Sequence, residues 1–486
     1  SILSLAPTSF HPPTNSPQTE TERAVLISQV GPTAFRAFNC LLAAFANPLL
    51  PVINLLPLHK MPSMLKIALP ALAVANTAYG TSRRAPACSA YNNNSPSSRL
   101  QATATLTIQN AGDATALASC STFSGSIAVA TGTTDDIAIN GVKKITGDLT
   151  AMANSNIKQI SASDLTELDG ELHLDGLTSL YAINFPKLKT IDSITWNALP
   201  NLQDIGFTAE VTSAKTIDIQ NTALRSLKGI NIEEVETVFI ANNGYIDSIS
   251  MQLGNVSKSL TLADNNEAVK VELPNLIWAS NLTFRFCGSV SVPSLETLNG
   301  SLGLYNNGFE TFTAPNLTSV GEAVALVANE NLSNVSFPQL TKITDNLQIA
   351  NNSKLIEVEG FPKLKSIGGA FDMSGNFTRY ANHLNKLALF TDMHSVETPV
   401  LDSVKGAFNL QSTDNITATC AFYQPLKSKK LIQGGYKCEG KLIDPAGEGH
   451  TGTKQGGSSD KTGAATTLSA VNGALGLAAM AAVLLF

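Results

Sequence analysis

The residues best placed to do chemistry are three ionisable side chains at alternate positions, Glu171, His173 and Asp175. On a β-strand they would share one face with neighbours about 6.5–7 Å apart, too far for direct hydrogen bonds but compatible with an acid/base pair. Asp218 lies on a predicted strand two further along, about 9–10 Å away. No serine completes a Ser-His-acid set with these residues, so we expect no catalytic site here.

The sequence also contains no pattern that indicates a metal site, a cofactor site or a nucleic-acid-binding surface. The histidines and cysteines show no His-x-x-x-His or Cys-x-x-Cys spacing of the kind that holds a metal. A β-helical polysaccharide hydrolase or lyase, the enzymatic alternative, should stack several Asp, Lys, Arg or His side chains on adjacent coils. Lys and Arg number 32 against 38 Asp and Glu, a net charge of -6, so no basic surplus is available to bind phosphates. We therefore predict a protein without enzymatic activity, metal or cofactor, and without nucleic acid as a partner.

The elements that must position these side chains repeat with a period near 22 residues. Pairs of apolar residues one position apart recur from Ile127/Val129 to Phe371/Met373 at intervals of 20 to 24 residues. Each pair predicts a short strand with its apolar side inward. A Pro-x-Leu-x-x-aliphatic turn recurs between them, at Pro186, Pro274, Pro293, Pro315, Pro338 and Pro362. This period predicts a mainly β fold, a right-handed parallel β-solenoid of leucine-rich-repeat-like coils.

Two rows of side chains follow from such coils. Asparagines after the strands should hydrogen-bond the backbone at each corner and stack on the next coil, at Asn242, Asn265, Asn306, Asn329 and Asn351. The residue between each inward pair should face outward, giving the row Ala128, Thr150, His173, Thr195, Asp218, Phe239, Thr261, Thr283, Gly303, Ala325, Gln348 and Asp372. Most of this row is small or hydroxylated, and its one aromatic residue is Phe239. Such a face suits either simple hydration or contact with a polysaccharide, although aromatic side chains usually supply much of the energy at sugar sites.

Five of the six cysteines lie in the body of the chain. We expect one disulfide before the first coil, between Cys88 and Cys120, and another after the last, between Cys420 and Cys438. These disulfides would cap the two ends of the solenoid. Cys287 is left over and is expected to be a buried free thiol.

Both termini carry targeting signals. Residues 64–80 combine a lysine, an apolar segment and small residues, as in a secretory signal peptide, so residues 1–63 are expected to be a disordered gene-model extension. The alternative, a membrane anchor over residues 40–58, is interrupted by three prolines. The uncharged C-terminal stretch fits the removable signal of a glycosylphosphatidylinositol (GPI) anchor attached at Gly463, or else at Gly457.

The segments between these signals are assigned by their composition and repeats. They are an N-terminal cap (81–124), solenoid repeats (125–420) with a helical insertion near 377–398, a C-terminal cap (421–445), a flexible linker (446–463) and the removed GPI signal (464–486). Asn-x-Ser/Thr sequons predict N-glycosylation at Asn93, Asn255, Asn281, Asn299, Asn316, Asn331, Asn334, Asn376 and Asn415. A further sequon at Asn351 is left out because that asparagine is expected in the buried corner row.

The signal peptide, the coils with their Asn and Pro-x-Leu turns, the flanking cysteines and the GPI signal resemble the fungal cell-wall organisation family of receptor L-domain-like proteins, which includes sporulation-specific wall proteins. The resemblance covers about residues 64–486 and implies a role in cell-wall assembly and integrity, with no catalytic residues to transfer. We therefore predict a GPI-anchored, N-glycosylated scaffold at the outer face of the plasma membrane and in the wall. Its expected partners are the membrane, through the GPI lipid, and wall glucan or mannoprotein. The alternative is a receptor-like module that binds a specific glycan or protein ligand.

Overall fold

The fold is taken from a computed structural model, which describes residues 88–89, 104–378, 396–447 and 453–454. All of these residues belong to the second of two compact units, Arg83–Phe486. The predicted extension, signal peptide and GPI signal lie outside the described residues, as does most of the predicted helical insertion. No helix in the described ranges is both long enough and apolar enough to cross a membrane.

Helices are few in this part of the chain. They are α1 at Ala111–Ala116, a 3-10 helix at Leu117–Ser119 and α2 at Thr417–Ser428. The first strands are β1 (Thr105–Ile108), β2 (Thr122–Phe123), β3 (Ser126–Val129), β4 (Ile137–Ala138), β5 (Lys144–Ile145), β6 (Leu149–Met152), β7 (Gln159–Ser161), β8 (Glu167–Asp175), β9 (Ala182–Asn184), β10 (Thr190–Leu199) and β11 (Thr216–Thr222). The next are β12 (Glu234–Ala241), β13 (Ser248–Ser250), β14 (Asn255–Ala263), β15 (Lys270–Glu272), β16 (Trp278–Arg285), β17 (Ser289–Ser291), β18 (Thr297–Leu298), β19 (Leu302–Tyr305), β20 (Thr311–Thr313), β21 (Ser319–Val320) and β22 (Val324–Val327). The last are β23 (Asn334–Ser336), β24 (Lys342–Ile343), β25 (Leu347–Ala350), β26 (Ser366–Ile367), β27 (Phe371–Gly375), β28 (Ser403–Val404), β29 (Phe408–Ser412), β30 (Tyr436–Glu439), β31 (Leu442–Asp444) and β32 (Thr453–Lys454).

The predicted β-solenoid is confirmed. Every predicted apolar pair from Ile127/Val129 onward lies on a strand, and these strands pair in parallel with the pairs in register. We call the outer surface of these strands the broad face; it is formed by β3, β6, β8, β10, β11, β12, β14, β16, β19, β22, β25, β27 and β29. β1 pairs with β3 and β30 pairs with β29, so the sheet continues one strand beyond the predicted pairs at each end.

Each coil contains shorter strands on two other surfaces. We call one of them the flanking face; it precedes the broad face in each coil and includes β5, β18, β21, β24, β26, β28 and the first residues of β8, β10, β12, β14 and β16. In these longer strands a register shift separates the flanking part from the broad part. The third face contains the parallel groups β4–β7–β9, β13–β15–β17 and β20–β23. Among the described strands, only β31 and β32 pair antiparallel.

Alternation along the strands builds the core. Leu260 and Leu262 are fully buried, whereas Thr261 between them is partly exposed. Full burial of one such side chain stabilises the fold by about 1.5–3 kcal/mol. The Pro-x-Leu turns close the other side of the coil: around Pro293, the Leu295 nitrogen donates to the Val292 carbonyl at 3.3 Å, as in a β-turn with proline in its second position.

A ladder of buried asparagines lies at the corner after the broad-face strands, formed by Asn243, Asn265, Asn307, Asn329 and Asn352. Asn307 Nδ2 donates to the Phe284 carbonyl of the preceding coil at 3.0 Å, and the Asn307 backbone nitrogen donates to Asn329 Oδ1 at 2.9 Å. These side chains provide partners for backbone groups that the corner removes from the strand ladder. Cys287 occupies the same position in one coil, where its backbone nitrogen donates to Asn307 Oδ1 at 2.9 Å.

The sequence prediction for this row is wrong at Asn242, Asn306 and Asn351. Each is the first residue of an Asn-Asn doublet, is exposed, and has a φ between 54° and 58°. Asparagine tolerates this left-handed conformation better than most residues. The positive φ at the first asparagine directs the side chain of the second asparagine into the core. Because Asn351 is exposed, the reason for leaving its sequon out does not hold.

The two predicted disulfides are present at the ends of the described solenoid, Cys88–Cys120 and Cys420–Cys438. At the C-terminal end α2 covers the core. Its Tyr423 is fully buried, with ring centroids 5.8 Å from Phe371 and 4.8 Å from Phe408. The helix therefore shields the last broad-face strands from solvent.

Candidate functional site

The outward row of the broad face is assembled as the sequence predicts. Parallel pairing places Thr261 beside Thr283 and Thr283 beside Gly303, and the same register continues from Thr150 to Asp372. Neighbouring strands lie about 4.8 Å apart, so the row forms a continuous surface. Its chemistry changes along the solenoid, from acidic at the N-terminal end to neutral in the middle.

The acidic end contains the predicted acid/base candidates. Glu171, His173 and Asp175 all lie on β8, and His173 Nδ1 is 3.7 Å from Glu171 Oε2, which is too long for a hydrogen bond. Asp175 Oδ1 accepts a hydrogen bond from Asn197 Nδ2 at 3.1 Å. The three side chains therefore share a face but do not form a hydrogen-bonded acid/base pair.

Asp218 lies half-buried in the same row. Burial is the main cause of its raised pKa; the hydrogen bond from Gln220 Nε2, 2.8 Å long, opposes the shift, and the Glu171 carboxylate adds to it. The row neighbours of Asp218 are Thr195 and Phe239, and neither is a nucleophile activated by a base. In the described residues, no group of three or more His, Cys, Asp or Glu side chains could hold a metal ion.

The middle of the broad face carries an aromatic residue that the sequence analysis missed. Tyr305 follows the inward residue Leu304, and its ring lies over Gly303, where an added Cβ would meet the ring at 2.5 Å. The guanidinium carbon of Arg285, on the neighbouring strand, is 5.0 Å from the ring centroid. The sequence signal for this contact is a glycine two residues before an aromatic residue, and Tyr305 itself lies outside the central outward row.

The C-terminal end of the row is covered. Asp372, predicted to face outward, is buried together with Asn409 and Gln411. Asn409 Nδ2 donates to Asp372 Oδ1 at 2.8 Å and to the Ala446 carbonyl at 3.1 Å, and the Ala446 nitrogen donates to Gln411 Oε1 at 3.3 Å. The chain after β31 therefore folds back over the broad face. The solvent-accessible part of the outward row ends before Asp372.

Cys287 is fully buried and has no disulfide partner, as the sequence predicts. Burial raises the pKa of its thiol to about 12, and the sulfur lies 3.6 Å from the Arg285 carbonyl, to which the protonated thiol can donate. At neutral pH the group is a protonated thiol, which is a poor nucleophile.

The predicted glycosylation sites differ in accessibility, and Asn93 lies outside the described residues. The exposed sites are Asn299, Asn316, Asn334 and Asn415, and the partly exposed sites are Asn255, Asn281, Asn331 and Asn376. Asn281 borders the broad-face row, where its Oδ1 accepts a hydrogen bond from the Ser301 nitrogen at 2.9 Å. N-glycosylation at these positions stays a prediction, as does GPI attachment at Gly463 or Gly457, which also lie outside the described residues.

Three fungal proteins are similar to this chain over most of its length. A "Cell surface GPI-anchored protein" of Arthroderma benhamiae is 37% identical over 354 residues, which cover 72% of this chain and 86% of that protein. "Protein ecm33" of Aspergillus fumigatus is 36% identical over 359 residues, covering 74% of this chain and 84% of that protein. "Sporulation-specific protein 2" of Saccharomyces cerevisiae is 30% identical over 331 residues, covering 68% of this chain and 62% of that protein. No family model matches the chain, and no solved structure matches it significantly.

Proposed function

Because the chain belongs to the family of fungal GPI-anchored cell-surface and cell-wall proteins that includes ecm33, we propose that it is a non-catalytic scaffold in cell-wall organisation and integrity. It passes through the secretory pathway, receives N-linked glycans and is attached to a GPI lipid at Gly463, with Gly457 as the alternative. It then stands at the outer face of the plasma membrane and in the wall.

The observation that carries this proposal is the chemistry of the broad face. Its middle presents Thr261 and Thr283 side by side, fixed by parallel pairing, and the cation there, Arg285, is stacked on the Tyr305 ring. Its ionisable residues at the N-terminal end lack hydrogen-bonded acid/base geometry, as the 3.7 Å separation of His173 and Glu171 indicates. A surface of this kind supports display and lateral contact rather than bond cleavage.

Wall glucan and mannoprotein are the proposed partners. Both are neutral, hydroxyl-rich polymers in their sugar parts, so a face of hydroxyl and small side chains can contact them without burying an unpaired charge. The GPI lipid supplies the second attachment. Holding the solenoid at the membrane raises its effective concentration beside the wall, so that weak contacts become sufficient.

A receptor-like module that binds one particular glycan or protein is the second candidate. The observation that favours it is Tyr305, whose ring is held over Gly303 with Arg285 beside it. We expect Tyr305→Ala to remove such binding on a glycan array. Tyr181, which is 51% exposed and immediately precedes β9 of the third face, provides the control substitution Tyr181→Ala, which should leave the binding unchanged.

Release from intact cells tests the main proposal. Phosphatidylinositol-specific phospholipase should free the protein, and mass spectrometry of its ends should find a start near residue 81 and an end at Gly463 or Gly457. Loss of the gene should sensitise cells to wall-perturbing dyes, and the intact gene should restore resistance. A protein that retains Phe486, or that releases reducing sugar from wall polysaccharide, would contradict the proposal.

A further inference from the structure

Trp278 lies in a groove on the flanking face. The groove crosses neighbouring coils, and Glu234, Glu236, Asn255 and Ser257 also line it. Trp278 is partly exposed there, whereas Trp196, the other of the two tryptophans in the chain, is fully buried. One aromatic ring is therefore presented to solvent in a polar groove.

Asn255 and Trp278 are direct neighbours across two parallel strands. β14 pairs with β16 so that Asn255 lies opposite Trp278, and the next pair is Val256 opposite Ala279. Val256 and Ala279 are both fully buried. Because side chains alternate along a strand, Asn255 and Trp278 both face outward, and their backbones are about 4.8 Å apart.

Asn255 is also the acceptor residue of a sequon whose hydroxyl residue, Ser257, is exposed in the same groove. Asn255 Nδ2 donates to Glu234 Oε1 at 3.3 Å. Attachment of a sugar replaces only one of the two amide hydrogens, so the second can keep this bond. Glu234 therefore fits beside the amide whether or not a glycan is attached.

The other two charged residues that line the groove, Lys215 and Glu236, each form an ion pair with a residue beside it. Lys215 Nζ is 2.5 Å from Asp192 Oδ1, and Lys258 Nζ is 2.6 Å from Glu236 Oε2. The groove consequently offers an aromatic surface and polar groups, with the Glu234 carboxylate held by the Asn255 amide. This combination suits a neutral sugar, whose C–H face can pack on the indole while its hydroxyl groups contact the polar rim.

We propose that Asn255 carries an N-linked glycan whose first N-acetylglucosamine packs against the Trp278 indole and fills this groove. In the attachment step a bond forms between Asn255 Nδ2 and the sugar C1, the bond from C1 to a lipid diphosphate breaks, and the amide releases one proton. The glycan then covers apolar surface of the solenoid itself. This inference rests on the proposed N-glycosylation and gives one of the sites a structural role.

Other sequons on strands lack this relationship. Asn334 pairs with Thr311 on the third face, and Asn281 pairs with Ser259 on the broad face. Neither of these strand partners is aromatic. Asn334, which is exposed, is therefore the matched control site.

Iodide quenching of tryptophan emission tests the proposal on the full-length protein purified from its cells, with peptide mapping to measure occupancy of Asn255. Because Trp196 is buried, the iodide-accessible signal comes from Trp278. We expect Asn255→Gln and Ser257→Ala, which remove the same sequon in different ways, to increase quenching and shift the emission to longer wavelength. Asn334→Gln should change neither quantity. Trimming the folded protein with an endoglycosidase that leaves the first sugar should also leave quenching low.

Two results would overturn the inference. One is a peptide map in which Asn255 carries no glycan. The other is a glycan at Asn255 whose removal by both substitutions leaves Trp278 quenching unchanged. Either result leaves the scaffold proposal intact, because that proposal is tested separately by release from the membrane and by wall integrity.

Discussion

Asn329 Oδ1 accepts two hydrogen bonds from Asn307, one from its backbone nitrogen and one from its side-chain Nδ2, each 2.9 Å long. Asn329 Nδ2 in turn donates to the Leu304 carbonyl at 3.0 Å. Both asparagines are almost completely buried. Consecutive coils are therefore joined by side-chain amides at the corner as well as by backbone pairing along the strands.

Replacement of Asn329 by alanine should strongly destabilise the solenoid. The substitution removes the acceptor for the Asn307 nitrogen and the donor for the Leu304 carbonyl in a buried corner, at a cost of at least about 2 kcal/mol. Urea unfolding followed by circular dichroism measures the change. The matched control is Asn306→Gly, which should be nearly neutral because glycine readily adopts the φ of 54° found there. Equal midpoints for the two variants would contradict the ladder.

Removal of the Cys420–Cys438 disulfide should loosen the C-terminal end. The two cysteines are 18 residues apart in sequence, and closing a loop of this size contributes about 3 kcal/mol in the chain-entropy view. We expect Cys420→Ser with Cys438→Ser to increase hydrogen exchange in α2 and β30 before the other strands. Reductant should have no further effect on exchange at this end of the variant. Unchanged exchange in α2 would refute the expectation.

Cys287 should resist alkylation in the native protein and react after unfolding. Burial raises the pKa of its thiol from 9.0 to about 12, so the native state keeps the proton at a pH where the unfolded state has lost it. Above pH 9 the unfolded state is therefore favoured progressively, and native stability should fall as the pH rises toward 12. The variant Cys287→Ala should show a shallower decline over this range. Mass spectrometry after iodoacetamide treatment at pH 8 measures the native reactivity, and rapid native labelling would contradict the burial.

Asp218→Asn should stabilise the acidic end of the broad face at neutral pH. Burial and the Glu171 carboxylate raise the Asp218 pKa above its ordinary 3.8, so the native state holds the charged form at a cost relative to the unfolded chain. The gain should be no more than about 0.5 kcal/mol because the site is half exposed and screened. It should shrink as the pH falls, because the aspartate takes up its proton at a higher pH in the native state than in the unfolded chain. Thermal unfolding at pH 7 and pH 4 measures the difference, and destabilisation at pH 7 would count against it.

The repeat itself could be predicted because alternating inward residues such as Leu260 and Leu262 recur at a nearly constant interval. The buried asparagines of the corner ladder are harder to predict from the sequence, because in an Asn-Asn doublet the backbone conformation decides which asparagine takes the positive φ. The coverage of Asp372 by Ala446 could not be predicted, because a contact between residues so distant in sequence has no periodic signal. The pairing of Asn255 with Trp278 likewise depends on exact register across strands of two coils.

The stacking of coils also sets distances along the molecule. From β1 to β30, fifteen parallel strands follow one another in the part of the chain that the structure describes, namely the thirteen strands of the broad face and one beyond each end. At one strand spacing per coil, the stack measures about 67 Å along its axis, and the Trp278 strand lies about 29 Å from the β30 end. Insertion or deletion of one coil would change the reach of the solenoid from a C-terminal anchor by a single spacing, while the chemistry of its faces stayed the same.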